Sequence, residues 1–529
     1  MRIATLLVGC AAAALMFAAT AQAATPKDTV VMAKALDDMI SLDPGEAFEF
    51  SGGEVVGNMY ERLVYYDLKN VASIHGVIAE SWSVGNDGKT YTFKLRPGLK
   101  FSSGNPVTAA DVIYSLQRAV ILNKAPGFIL TQFGFTKDNA AARIRATDPM
   151  TVVLETEKAV APSFFYYCLT AGVASIVDSQ VAKQHEQNGD FGNDWLKQHS
   201  AGTGPYMLRA WKPNESYILD ANPHYHGKKP LTPHVFVRHV KEPATQRLLL
   251  EKGDIDYARN LGKDQLDALA KNPQIAFDQG VKGAITYLAL NQKNQYLAKP
   301  EVVEALKYLV DYDGIEKNLL HGTRIVHQSF LPAGFLGAID DKPYHFDLAK
   351  AKSLLAKAGL ADGFSITMDV WNAYPWADIA QVIQASWAQA GIKLELIPGD
   401  GKQVITKFRA RNHDIAILDW GPDYQDPNTN AQAFASNFDN SDASPTKTLA
   451  WRNSWDIPEM SKETQAAVVE PDAKKREALY QKIEREHQKV APFVIMFQQI
   501  EVAARRKSVD GFILGPGFDN NWYAQIAKH

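Results

Sequence analysis

Cysteine is almost missing from this chain. Of 529 residues two are cysteine, Cys10 and Cys168. Cys10 sits in the apolar run at the start. Once that run is removed, no intramolecular disulfide can form, which excludes a disulfide-built scaffold. Cys168, within Phe164-Phe165-Tyr166-Tyr167-Cys168-Leu169, reads as a small buried hydrophobe rather than a nucleophile. Basic runs are missing too. The formal charge is -3, from 56 Lys and Arg against 59 Asp and Glu, with no Lys/Arg block, so nucleic acid is not an expected partner. No low-complexity linker or solenoid-length repeat is visible. Catalytic signatures are lacking: there is no Walker A pattern, no H-E-x-x-H and no G-x-S-x-G. His185-Glu186 has no second His at the required spacing. His224 and His226 make an H-x-H that could ligate a metal, but they fall in an Asn-Pro-x-Tyr-x-Gly turn, and a metal is not the expected reading. Asp37-Asp38 and Asp340-Asp341 are chain neighbours, whereas a glycosidase needs its two carboxylates across a pocket. The chain is therefore expected to be no enzyme and to need no metal or cofactor.

What is present begins with a leader. Arg2 supplies a positive charge, residues 3–19 are apolar, and Thr20-Ala21-Gln22-Ala23-Ala24 offers an Ala-x-Ala cleavage site. Residues 1–23 thus read as a secretory signal peptide, so the rest is expected to be periplasmic, away from ATP and NAD. Leu7-Val8-Gly9-Cys10 has lipobox chemistry. Only about six apolar residues precede Cys10, against ~7–15 in a usual leader core, and the apolar run continues past it, so a soluble exported protein is the preferred reading. A membrane anchor would need ~20 apolar residues with no cleavage site behind them.

Hydrophobic residues make up 46% and charged residues 22%, an ordinary globular balance. At ~100–200 residues per domain the length suggests two to four domains. Residues 29–33 read as a strand. Leu42-Asp43-Pro44 opens a loop expected over 45–53, with a helix over 55–63. Residues 89–95 alternate with period two after the turn Asn86-Asp87-Gly88. Thr108 and Asp111 have the spacing of an N-cap and first-turn acid, and Val112, Leu116 and Ala119 share a helix face. Helices are expected over 265–271, 302–311, 348–358 and 377–390, and strands over 284–290, 365–370, 393–396 and 414–418. This interleaving indicates an α/β or mixed class.

The stretch VIAESWSVGNDGKTYTFKLRPGLKFSSGNPVTAADVIYSLQRA, residues 77–119, resembles a signature segment of extracellular solute-binding protein family 5, the dipeptide- and oligopeptide-binding proteins of bacterial ABC importers. Further blocks follow in that family's order. They are Gly202-Thr203-Gly204-Pro205-Tyr206, Asn222-Pro223-His224-Tyr225-His226-Gly227, Gly253-Asp254-Ile255-Asp256, Tyr287-Leu288-Ala289-Leu290-Asn291 and Trp420-Gly421-Pro422-Asp423-Tyr424 through Pro427.

The resemblance implies an α/β, two-lobed periplasmic binding protein of type II with an additional domain inserted in lobe I. Lobe I would comprise 24–63, 171–283 and 491–529, the extra domain 64–170, and lobe II 284–490, with hinge crossings near Ala284 and Val494. Such a receptor shuts on its ligand and presents it to a permease in the inner membrane; a monomer is expected. In peptide-binding relatives the Asp matching Asp423 pairs with the ligand's α-amino group; a turn hydrogen bond is its alternative role. Arg259, three residues after the Asp of G-x-I-D, stands where relatives line the ligand site, and a guanidinium there could grip an anion or form an internal salt bridge. Phe48, Glu49, Phe50 and Ser51, and Trp371, Asn372 and Tyr374, occupy loops that face the cleft in relatives. Trp420 is similar, with core packing as the plainer role for each aromatic. Two departures point away from a standard dipeptide site. The loop Trp371-Asn372-Ala373-Tyr374-Pro375-Trp376 has no Arg to receive a ligand carboxylate, and Gly399-Asp400-Gly401-Lys402 lacks a Trp that relatives often carry there. Opines, oligosaccharides, glutathione and metal chelates therefore stand as alternative ligands, and an exported hydrolase as an alternative of another class.

Overall fold

The computed structural model describes residues 25–68, 70–320, 322–444 and 446–529; the leader reading at 1–23, with Cys10, lies outside them. One large sheet runs through both halves. Its strands follow the order Lys393–Gly399, Ser365–Trp371, Ile415–Trp420, Ile275–Leu290, Phe493–Arg506, Tyr257–Ala258, Thr29–Lys34, His234–His239, Ser216–Ala221 and Tyr206–Lys212. Arg324–Val326 pairs separately with Phe493–Arg506. The two long central strands are antiparallel and join the halves. Their register breaks between Val281 and Ile285, so Lys282, Gly283 and Ala284 drop out of the ladder, and a strand bends where its ladder is interrupted.

Each half buries its own apolar side chains. In the second half, helices Pro300–Tyr308, Leu348–Lys357 and Trp376–Ala388 cover one sheet face over Leu288, Met368 and Ile415. Helices Asn428–Ala435 and Ala473–Val490 cover the other over Tyr287, Phe434 and Phe493. The first half packs Val30, Met32, Val55 and Val235. A separate four-stranded sheet, in the order Ala79–Val84, Thr90–Leu95, Thr151–Glu155, Ile144–Asp148, packs with helix Ala109–Leu122 around Phe93, Val112 and Phe165. Cys168 is fully buried in that core. Thr108 caps the helix as its spacing predicts, its backbone N–H donating to Asp111 Oδ2 at 2.9 Å.

Two sequence expectations change. The loop expected over 45–53 ends early, because the first helix is Phe50–Met59. Glycine weakens an isolated helix, but these glycines allow close packing. A Cβ on Gly57 would lie 2.2 Å from Asp519 O, and one on Gly52 would lie 3.0 Å from Ser41 O. The strand expected over 284–290 is the end of Ile275–Leu290, whose earlier residues pair with the far end of Phe493–Arg506.

Candidate ligand cleft

Two adjacent cavities lie between the halves, and Phe50 borders both. The smaller, about 290 Å³, is bounded by Phe48, Glu49 and Phe50 on one side and Asp423 and Tyr424 on the other. The larger, about 680 Å³, has Ser51 and Arg259 facing Arg324, Trp371 and Tyr374. Together they are in the size range of small-ligand sites.

Asp423 follows the strand Ile415–Trp420 through Gly421 and Pro422, which carry the chain off the sheet and into the cavity. Its backbone N–H donates to Thr429 Oγ1 at 3.1 Å. Among the described residues its carboxylate has no hydrogen-bond or ion-pair partner. Burial pushes its pKa up to about 6, since desolvation disfavours the charged form. The next residue, Tyr424, is buried against Phe164 of the four-stranded unit, ring centroids 5.9 Å apart. Close by, Ala161 N–H donates to Val468 O at 2.9 Å and Arg476 Nη1 donates to Ser163 Oγ at 3.0 Å. These contacts join the four-stranded unit to the second half beside the smaller cavity.

Arg259 is not an open anion receptor, contrary to one reading of its position. Its side chain is 1% exposed. Nε donates to Glu501 Oε1 at 3.0 Å, while Nη1 and Nη2 donate to Glu54 at 2.9 and 3.2 Å. Nη2 also reaches Glu501, and the guanidinium lies over Phe512. Two carboxylates already occupy it. Burial pushes the Glu54 carboxyl up, but Arg259 and Lys34 more than reverse this and hold it well below the usual range. Lys282, from the interrupted ladder, joins the network at 3.0 Å from Glu501.

The remaining candidates divide. Phe48 and Phe50 are 39% and 57% exposed, and Trp371 and Tyr374 are 40% and 39% exposed; all four border the cavities. Trp371 stacks on Trp376 at 4.2 Å. Glu49 lines the smaller cavity, and its carboxylate accepts from the Phe48 N–H at 3.3 Å. Ser51 is buried, with its N–H donating to Asp38 Oδ2 at 2.9 Å. Asn372 is exposed and borders neither cavity; its N–H donates to Gly399 O at 2.8 Å. Trp420 borders neither of these cavities. Its Nε1–H donates to Asn430 Oδ1 at 3.1 Å, its ring meets Phe434 edge-on, and it borders a third pocket that shares Trp371 and Trp376 with the larger cavity. For Asn372 the geometry favours a structural role.

Sequence reading missed Arg324. It comes from a short strand pairing with Phe493–Arg506 at Gln499 and packs over Trp376, the last residue of the loop that lacks an arginine, at 5.9 Å. His226, in the H-x-H pair, is 3.0 Å from Glu61. Among the described residues no three or more His, Cys, Asp or Glu side chains are grouped to hold a metal.

The model of bacterial extracellular solute-binding proteins, family 5, matches residues 73–442, well over half the chain. The chain belongs to that family. The probable D,D-dipeptide-binding periplasmic protein DdpA of Escherichia coli K12 is 32% identical over 503 residues, covering 94% of this chain and 93% of that protein. The dipeptide-binding protein of the same organism is 27% identical, with 87% of each covered. Among solved structures, the ABC transporter-associated periplasmic binding protein DppA from Helicobacter pylori, in complex with peptide STSA, superposes with a TM-score of 0.75. It is 26% identical and covers 94% of this chain and 98% of that one. The fold is thus that of two-lobed periplasmic binding proteins. Among the described residues no helix is long and apolar enough to cross a membrane.

Proposed function

We propose that this protein is the substrate-binding receptor of a bacterial ABC importer for short peptides, acting in the periplasm after its leader is cleaved. It works as a monomer, performs no chemistry on its cargo and delivers it to a permease. Asp423 takes the ligand's α-ammonium. Phe48, Phe50, Trp371 and Tyr374 supply apolar walls, and Glu49 and Ser51 shape the first-half side. Lobe I is 24–63 with 171–283 and 491–529, carrying the extra domain 64–170; lobe II is 284–490. The hinge is the interrupted ladder around Gly283.

The observation that carries this reading is the carboxylate of Asp423, which lines the inter-lobe cavity with no partner among the described residues. Asp423 is half-buried; a partly desolvated carboxylate left alone is unfavourable, and a cation from the ligand removes that penalty. Similarity to peptide-binding relatives supports the same reading. The experiment is calorimetric titration of wild type and Asp423→Asn with di- to tetrapeptides, each as free amine and N-acetylated. Losing one member of a buried charge pair costs about 2–5 kcal/mol, so the substitution should weaken free-amine binding by about 30-fold or more and leave acetylated binding nearly unchanged. Equal losses for the two forms would refute the amine role, and no binding of any peptide would refute the peptide reading.

A further inference from the structure

A zwitterionic ligand held by its amine at Asp423 carries a carboxylate that also needs a partner. The aromatic loop 371–376 has no arginine, and Arg259 is already held by Glu54 and Glu501. Lys34 is engaged by Glu54 at 2.7 Å. Lys282 is enclosed by Gly515 O, Asn521 Oδ1 and Glu501.

Arg324 differs from these. Its side chain is 6% exposed and lines the larger cavity. Nε donates to Thr286 Oγ1 at 3.0 Å and Nη2 donates to Asp419 Oδ2 at 2.9 Å. Its face rests over the Trp376 ring, 5.9 Å from the centroid. Among the described residues Nη1 has no hydrogen-bond partner, although it belongs to a guanidinium fixed on two sides. A planar fork pre-oriented in this way loses little freedom when it binds a carboxylate.

The two charged positions are also within reach of one small ligand. Arg324 grips Asp419, and only Trp420, Gly421 and Pro422 separate Asp419 from Asp423. That backbone stretch spans at most ~14 Å, the length of about four extended residues. The cavity containing Asp423 and the one containing Arg324 share Phe50 as a lining residue, so the two charged positions lie in adjacent cavities.

We propose that Arg324 is the residue that selects a free C-terminal carboxylate on the ligand, receiving it at Nη1 while Thr286 and Asp419 hold the guanidinium in place. This rests on the peptide-receptor reading and adds a second charged contact to it. It also gives a physical reason why the loop 371–376 can do without an arginine: the charge arrives beside Trp376 from a neighbouring strand.

The test uses the full mature protein and calorimetry with trialanine as free acid and as C-terminal amide. Wild type should bind the acid about 30-fold or more tightly than the amide, as expected for losing one partner of a desolvated charge pair. Arg324→Gln should bring acid binding down to the amide level and leave the amide unchanged. Arg324→Lys should keep part of the preference. A merely structural role in holding Asp419 would weaken both ligands together. A wild-type preference below about 3-fold, or a preference that survives in Arg324→Gln, would overturn the assignment. The wild-type comparison stands even if the variant does not fold. If trialanine binds in neither form while the N-acetylation series also fails, the peptide reading itself falls; if amine dependence holds and amidation has no effect, only the role of Arg324 falls.

Discussion

Shutting the empty receptor should depend on pH through Asp423. The conformation described here has the four-stranded unit in contact with the second half next to Asp423, and burial raises Asp423 to about 6. Opening would rehydrate the loop and return the group toward the ordinary ~3.9. The difference of roughly two units means that shutting around an ionised, unpaired Asp423 costs about 3 kcal/mol. Against this stand burial of the Tyr424 ring, roughly 2 kcal/mol, and two hydrogen bonds between the four-stranded unit and the second half at roughly 1 kcal/mol each. These terms are of similar size, and a ligand ammonium removes the one that opposes shutting. The shut form binds the proton more tightly, so acid favours shutting, and the effect appears only below about 6. From pH 7.5 to pH 5 the shut-to-open ratio should rise about tenfold. Small-angle scattering of the ligand-free protein should show a smaller radius of gyration at pH 5, while Asp423→Asn should be compact at both. Asp519 lines the same cavity and is also pushed up by burial, so the variant serves as the control. Superimposable wild-type profiles at the two pH values, or an equal response in Asp423→Asn, would refute the reasoning.

Arg476 and Asp426 form a fully buried bidentate pair with both contacts at 2.7 Å. Arg476→Met should destabilise the protein by about 3–5 kcal/mol, because it strands a buried carboxylate, and urea unfolding would measure this. Lys307 is buried with its Nζ donating to Gln488 O at 2.8 Å, and burial lowers its pKa to about 7. The unfolded chain keeps that proton up to about 10.4. The unfolded state therefore binds more protons between pH 7 and 10, and this residue contributes a rise in stability across that window. Urea unfolding of Lys307→Met against wild type at pH 6.5 and 9.5 should show that component missing from the variant.

What could be read from sequence was local. Thr108 and Asp111 are three residues apart and meet as a cap, and the alternation in Thr90–Leu95 buries Tyr91 and Phe93 as expected. Asp423 was visible because its loop carries a short recognisable string. Arg259 was ambiguous because its partners are 205 and 242 residues away, and nothing near it in the chain announces them. Arg324 escaped notice for the same reason: Asp419 is 95 residues distant and the strand bringing them together is three residues long. The early start of the first helix was hidden by Gly52 and Gly53, whose value lies in the backbone approach of Ser41 and the contact with Asp519. Composition can show that a glycine is present but not what it lets approach.

The proposed hinge and the proposed ammonium site meet at one residue. Lys282, Gly283 and Ala284 leave the ladder together, with the Gly283 N–H donating instead to Pro516 O at 2.9 Å, and such ladder interruptions are where hinges absorb backbone rotation. On one side Lys282 is pinned by Gly515, Asn521 and Glu501. On the other, the ladder resumes at Ile285, which pairs with both Gln498 and Trp420, leaving Gly283 between two fixed points. A Cβ built there would lie 2.8 Å from Pro422 Cγ, and Pro422 precedes Asp423. Gly283 is not in the left-handed region, so alanine would fit its backbone and any effect comes from the contact alone. Pro422 lies two residues beyond Trp420, the strand partner of Ile285, so Gly283 and Pro422 face each other across one strand pair and the contact persists whether the halves are shut or parted. The overpacking term of about 1–3 kcal/mol therefore falls on the ligand-free protein as well. Gly283→Ala should destabilise the ligand-free protein by that amount in urea unfolding, and an unchanged midpoint would refute the packing argument.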